Sequence, residues 1–532
     1  MWTGIGIAAG TVILLVLFAS TVPLRSETLR HRIIETLSAR LNSEVTLDDL
    51  SLRLFPRLHA EGRSLLIRQR DRPHVPPLIA IKAFTVDADL LGLWRKRVAR
   101  VELTGLDISI PPDDDDDDKK DFERHRLHGD RYAVATSGAP ADNKPRTSPD
   151  AIEGSVVIDT VHSEDARLII VPRNSGKAPR IWAIHTLDMH NVGAFEAMPF
   201  DATLTNAVPP GEIVTKGSFG PWNTNEPGNT PLRGRFRFDK ADLSVFKGIR
   251  GILSSQGDFG GLLNYIDVNG ETETPDFVVE VGGHPFALHT KYHTIVDGTN
   301  GDTRLERIDA NFLQSTLIAH GAVLDGPKGE KGRTVTLDVN MPKARIEDVM
   351  LMAVRTKRPP LTGGLQLTTK FLLPPGETDV AERLRLNGRF ALTGARFASP
   401  EVQTKIVELS RRGRGRNADE GKENVASDFR GRFVLGDGRL DLPDLMFAVP
   451  GAQVRLAGSY ALKRETLAFK GNLLLDAKVS QTVSGFKSLL LKMADPFFRR
   501  PGGGSSIPIK IEGTRADPKF GLDVGRVFRR GN

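Results

Sequence analysis

The stretch that most constrains the fold is VTLDDLSLRLFPRLHAEG, residues 45 to 62. From Leu50 to Leu54 apolar and polar residues alternate: Leu50, Leu52 and Leu54 fall on one side of an extended strand, Ser51 and Arg53 on the other. A period of two does not fit a helix, and the leucine face must be covered by something apolar. That cover is either a protein core or the acyl chains of a lipid. The same signature returns in KAFTVDADL (82–90), where Phe84, Val86, Ala88 and Leu90 oppose Thr85, Asp87 and Asp89. In VARVELTGLDISI (98–110), Val101 and Leu103 are followed by Leu106, Ile108 and Ile110. The phase slips by one residue at Thr104 and Gly105, as at Asp48 and Asp49, which predicts a bulge or tight turn at each place.

One kind of strand recurs further along. GRFRF at Gly234, GRFAL at Gly388 and GRFVL at Gly431 each carry a glycine, an arginine and apolar residues two apart. The pairs are Phe236 with Phe238, Phe390 with Leu392, and Phe433 with Leu435, each arginine falling on the opposite face. Uneven separation argues against a regular solenoid. Between such runs lie four amphipathic segments too short to cross a membrane. They are DLSVFKGIRGIL (242–253), ARIEDVMLMAV (344–354), EVQTKIVEL (401–409) and VSQTVSGFKSLLLKM (479–493), and their pattern predicts helices that plug or cover a sheet. With 52 Gly and 33 Pro in 532 residues, the chain suits many short strands and turns, and its length exceeds what one core serves.

The first 24 residues, MWTGIGIAAGTVILLVLFASTVPL, hold no charged side chain. A helix over 2–22 is long enough to span a bilayer, and the absence of basic residues ahead of it favours a retained anchor over a cleaved signal peptide. Arg25, Arg30, Arg32 and Arg40 follow it, and by charge alone they would keep the rest of the chain in the cytoplasm. SETLRHRIIETLSARL (26–41) then puts Leu29, Ile33, Leu37 and Leu41 on one narrow stripe, with Ser26 as N-cap; its scattered arginines favour a helix that caps the end of a sheet over one that lies on the membrane surface. Residues 111–150, with six consecutive Asp, read as a disordered acidic insert, because like charges repel and bury nothing.

Chemistry is sparse. Cysteine is absent, which excludes disulfides and thiol catalysis, and HExxH, GxSxG and Walker A patterns do not occur. Ser244 with Lys247 and Ser484 with Lys487 match S-x-x-K without its companion elements, a weak signal for a hydrolase. DGTNGDT (297–303) offers Asp297, Asn300 and Asp302, but lacks the order and the distal Glu of a calcium loop and reads as a hairpin turn. A net charge of +7 is mild for this length, and no basic stripe interleaved with aromatics marks a nucleic-acid surface. The expectation is a protein that is not an enzyme.

An uncharged N-terminal span, a short amphipathic helix, VTLDDLSLRLFPRL and then VELTGLDISI together resemble the N-terminal region of the AsmA family of bacterial envelope proteins. That region is itself similar to the chorein-type ends of bridge-like lipid transfer proteins. ATLTNAVPPGEIVTKGSFGPW (202–222), SSQGDFGGLLNYIDVNGETETPDF (254–277) and GTRADPKFGLD (513–523) are similar to AsmA-like proteins as well. The resemblance implies a mainly β chain with short helices, its long twisted antiparallel sheet forming an open groove, a β-taco, behind one N-terminal transmembrane helix. It implies an anchor at 1–24, a chorein-like region at 25–110, the acidic insert at 111–150, a central groove at 151–400 and a C-terminal region at 401–532. About 25 strands at roughly 4.8 Å each would run on the order of 120 Å.

The implied setting is the bacterial inner membrane, crossed once, with the bulk of the chain periplasmic against the local charge bias, since long translocated domains override it. The implied partners are phospholipid, the inner membrane and envelope proteins, with no nucleic acid, no cofactor and no metal. The implied role is binding phospholipid acyl chains and assisting lipid transport or outer-membrane homeostasis. Leu50, Leu52, Leu54, Phe84, Val86, Phe236, Phe238, Phe390, Leu392, Phe433 and Leu435 are the candidate lipid contacts. The alternative is a periplasmic scaffold for outer-membrane protein assembly, with the apolar face closed as an ordinary core.

Overall fold

The computed structural model describes residues 24–25, 27–41, 43–53, 57–69, 76–110, 157–171, 179–193, 196–221, 223, 226–326, 332–355, 358–415, 425–477, 504–515 and 517–523. Residues 1–23 of the expected anchor at 1–24, the acidic insert at 111–150, the segment 479–493 and the pair Ser484 and Lys487 lie outside them. Among the described residues no helix is long and apolar enough to cross a membrane. The chain is mainly β and divides into two units, Met1–Val208 with Glu212–Asn225 and Pro209–Gly211 with Glu226–Asn532.

The first unit holds β1 (Leu24–Arg25), β2 (Ser43–Arg53), β3 (Leu58–Gln69), β4 (Ile79–Ala88), β5 (Arg97–Ile110), β6 (Val157–Ile170), β7 (Arg180–Val192), β8 (Met198–Thr205) and β9 (Glu212–Phe219). Each strand pairs with the next, and no described pairing joins β1 to β9, so the sheet is open. The described pairings of this unit are antiparallel, in line with the expected sheet, except that β5 and β6 run parallel. Parallel neighbours require a connection of a dozen or more residues, because the chain must return to the starting rim. Residues 111–156, which include the acidic stretch, lie between these two strands in the sequence.

The phase slips have a common structural origin. Ser64, Gly105 and Asp165 take positive φ of 51°, 64° and 52°. Regular pairing is interrupted beside each of them, between Leu47 and Asp49 on β2 and between Thr104 and Leu106 on β5. A left-handed residue reverses the alternation, so Leu65, Ile81 and Leu106 on one side of the slip and Val86, Leu103 and Val161 on the other join clusters on the same face. The helix Glu27–Leu41 packs on β2, with Arg30 Nη1 donating to Leu47 O at 2.9 Å and Ser38 Oγ accepting from Val45 N at 3.3 Å. It caps the sheet, as its stripe predicts.

The second unit runs through β10 (Pro231–Asp242), β11 (Ile249–Arg250), β12 (Ile252–Leu262), β13 (Tyr265–Val279), β14 (Pro285–Val296), β15 (Thr303–Phe312), β16 (Ser315–Asp325) and β17 (Arg333–Arg345). It continues through β18 (Leu361–Leu373), β19 (Arg385–Phe397), β20 (Ser427–Gly436), β21 (Arg439–Val449), β22 (Ala452–Ala461), β23 (Thr466–Leu475), β24 (Ser505–Thr514) and β25 (Pro518–Leu522). Described pairings are antiparallel between sequence neighbours, except that β10 bonds to β12 and β11 to β13, and none joins β10 to β25. This sheet is also open.

Two of the predicted helices form, as Ile346–Ala353 and Pro400–Gly413. Both join strands at the same rim, and each seals a core there. Ile346, Val349 and Met352 close over Phe286, Phe312, Met341, Leu365 and Leu392, while Ile406, Val407 and Leu409 close over Val425, Val449 and Leu475. The segment 242–253 is a correction. It forms only a 3-10 turn, Leu243–Val245, and then β11 and the start of β12. Gly248 and Gly251 take φ of +93° and +142°, which a continuing helix does not allow, and Asp242 pairs with Ile252. Long-range strand pairing outweighs the local amphipathic pattern.

Candidate functional site

The second unit carries a cross-strand row that begins at Phe236 and ends at Phe433. Direct register partners lead from Phe236 to Gly257, Gly270, Tyr292, Ile308, Ala319, Val339, Thr369, Gly388 and Phe433. Paired residues share a face, so one side of ten strands presents a line with no charged group. The adjoining row on the other side reads Arg237, Gln256, Glu271, Lys291, Asp309, Ile318, Asn340, Thr368, Arg389 and Arg432. One face is therefore apolar and the other solvated.

Burial of the apolar face changes along each strand. On β19, Leu392 is 3% exposed beneath the helix Ile346–Ala353, whereas Phe390 and Leu386, further from that rim, are only half-buried. In the row from Phe236 to Phe433 every member except Ala319 is half-buried. A sealed core would bury such a row more completely. What remains is an apolar strip that protein atoms cover in part.

The glycine of the recurring strand now has a physical role. Gly388 opposes Phe433 and Phe390 opposes Gly431, and the two rings lie 6.3 Å apart. Gly234 with Phe259 and Phe236 with Gly257 repeat the arrangement on β10 and β12, with rings 6.5 Å apart. A Cβ on Gly388 would stand 2.8 Å from Phe433 Cζ, and one on Gly62 would stand 2.2 Å from Phe84 Cζ. The rings lie over bare backbone, lowered against the sheet, and sequence reasoning missed both the reciprocity and Phe259. The signal was present in the G-x-F spacing of Gly257 and Phe259.

Of the candidate contacts, Phe84, Val86, Phe236, Phe238, Phe390, Phe433, Leu435 and Leu52 are half-buried on apolar faces. Leu50 and Leu392 are buried, at 8% and 3% exposed, and Leu392 belongs to the helix-covered core. Leu54 lies outside the described residues.

The solvated face is held by cross-strand ion pairs. Arg167 meets Asp107 at 2.5 Å, and Lys370 meets Asp338 at 2.8 Å. His59 Nδ1 lies 2.6 Å from Asp87 Oδ1 with Nε2 3.0 Å from Glu61, and His162 Nδ1 lies 2.7 Å from Asp188 with Nε2 3.4 Å from Glu164. The hydrogen-bonded aspartates, more than the burial that opposes them, push both imidazoles above their ordinary range, and the glutamates add to this. The two sites share a short pattern: HAEGRSLLI (59–67) and HSEDARLII (162–170) agree at their His, Glu, first Leu and last Ile, and TVD (85–87) and TLD (186–188) at Thr and Asp.

Sharper chemical readings find little support in geometry. Ser244 sits in the 3-10 turn with its N–H donating to Asp242, while Lys247 Nζ donates to Glu377 O at 2.9 Å, so the two do not share a helix. The loop between β14 and β15 is a hairpin turn in which Arg333 Nη2 donates to Asn300 O at 2.7 Å and Nη1 approaches Asp302 Oδ1 at 3.3 Å. A guanidinium thus occupies the place a cation would need. Among the described residues no group of His, Asp and Glu is suited to hold a metal ion.

Fold and surface define a class: a mainly β protein of open sheets, each apolar on one face and charged on the other. No protein family, curated protein or solved structure matches the chain.

Proposed function

We propose that this chain is an AsmA-like, membrane-anchored envelope protein that binds phospholipid acyl chains along the apolar face of a β-groove and assists lipid movement. The observation that carries the reading is the row from Phe236 to Phe433, uncharged across ten strands and half-buried in all but one member. Each methylene that leaves water against such a strip gains about 0.8 kcal/mol, which offsets most of the cost of drawing an acyl chain from a bilayer. The headgroup stays in water at the rim. No bond is made or broken, so the protein acts as a carrier or conduit and not as an enzyme. Its setting is the inner membrane, with the bulk of the chain in the periplasm.

Photo-crosslinking residues at Phe236 and Phe390 test this. Lipid adducts at both positions, recovered with co-purified phospholipid by mass spectrometry, are the expected result. Protein adducts with no lipid would instead identify an assembly scaffold with a closed core.

A further inference from the structure

A second surface in the first unit bears on how the chain meets a membrane. The five-residue helix Leu90–Trp94 joins β4 to β5 and leaves Leu91 71% and Trp94 82% exposed. Single exposed leucines are ordinary, but here an exposed leucine and an exposed tryptophan stand together and are followed at once by Arg95, Lys96 and Arg97, all exposed. Arg97 is held by Asp159, its Nε 2.8 Å from Oδ1, and Asp89 is engaged by the Gly92 N–H. Apolar and indole groups beside uncommitted basic ones match the layering of a lipid interface, where indole sits at headgroup depth and cations meet phosphate.

An independent feature points to the same rim. Leu24 pairs with Leu52, and the row continues through Ala60, Val86 and Val101. Because β1 is antiparallel to β2, Leu24, the first described residue, lies at the Arg53 end of β2, the rim at which β4 ends and the helix Leu90–Trp94 begins. Leu24 is three strands from β4, about 14 Å at roughly 4.8 Å per strand. The residues that precede it are the uncharged 1–23.

We propose that this rim rests on an anionic bilayer surface, Leu91 and Trp94 entering the interfacial layer and Arg95 and Lys96 binding lipid phosphates. The inference rests on the membrane-anchored reading, but its test reads a position away from the acyl-binding strip, so either can fail alone. The chain has no cysteine, so Leu91→Cys and, as a reference in the second unit, Leu313→Cys each accept a single bimane label in the full chain. The labelled protein is reconstituted into phosphatidylcholine vesicles with and without phosphatidylglycerol. Bimane at 91 should shift to the blue, be quenched by brominated acyl chains and resist aqueous iodide, while bimane at 313 does none of these. Adding Arg95→Gln and Lys96→Gln should lower the ratio of lipid-quenched to unquenched label roughly fivefold per residue in vesicles with phosphatidylglycerol and leave it unchanged without it. A label at 91 that iodide reaches as it does at 313, or that is shielded from iodide without quenching by brominated lipid, overturns the proposal, the latter outcome indicating a protein partner.

Discussion

Asp348 provides the sharpest test of how the rim of the second unit is sealed. It is 5% exposed, in the first turn of the helix Ile346–Ala353, and its Oδ2 accepts from Gln314 N at 3.0 Å and from Ser315 Oγ at 2.7 Å. Ser315 Oγ in turn accepts from Arg345 N at 2.9 Å. One oxygen therefore ties the helix to the β15–β16 turn, where Leu313 takes φ of 49°. Asp348→Ala leaves the buried Ser315 hydroxyl without its acceptor, at about 1 to 3 kcal/mol, and strips the Gln314 N–H, which water can reach, of its partner at little further cost. Asp348→Asn behaves differently: an amide oxygen in the place of Oδ2 keeps both bonds, and the cost falls to about 1 kcal/mol. Hydrogen exchange at the amides of residues 312–317 is the appropriate assay, because it reads opening of the turn without requiring the whole chain to unfold as one unit. The expected order is wild type slowest, Asn intermediate and Ala fastest, by roughly a factor of ten for Ala at ~1.4 kcal/mol per decade. Equal exchange in Asn and Ala variants would refute the account, since it would mean that the acceptor geometry is irrelevant.

Three further outcomes are expected. The imidazoles of His59 and His162 are raised from 6.5, so their contribution is full below that value and is lost as pH climbs through the raised folded-state value; His59→Gln with His162→Gln should flatten this fall in the melting temperature of the first unit, and an unchanged slope would assign it to other groups. Gly388→Ala sets a methyl 2.8 Å from Phe433 Cζ and 2.4 Å from Thr368 O, and should cost about 1 to 3 kcal/mol by chemical denaturation, whereas a neutral result would deny that the ring lies on bare backbone. Leu392→Ala should destabilise the second unit by about 2 to 5 kcal/mol without reducing bound lipid, because Leu392 is sealed beneath a helix; lipid loss at retained stability would place it in the acyl-binding strip.

By itself the sequence determined what depends on near neighbours. Alternation between Leu50 and Leu52, and between Phe390 and Leu392, marks strands and assigns faces because successive side chains on a strand point opposite ways whatever lies beyond. The slips at Asp48 and at Thr104 were legible for the same reason, and so were the helices Ile346–Ala353 and Pro400–Gly413 from their apolar stripes, the second of them also capped by Ser399. Only the tertiary structure decided what depends on residues far apart along the chain. The segment 242–253 carries a helical stripe yet joins a sheet, because Ile249 and Arg250 pair with Val279 and Val278 on a later strand, and two glycines at positive φ interrupt the short local pattern. The parallel pairing of β5 with β6 leaves no mark in either strand, since strand residues carry no record of their partner's direction. Phe390 and Leu392 read alike in sequence, two apart on one face, but a helix donated by a distant connection buries one and leaves the other half-open. Periodicity fixes which way a side chain points; burial depends on what the rest of the chain sets against it.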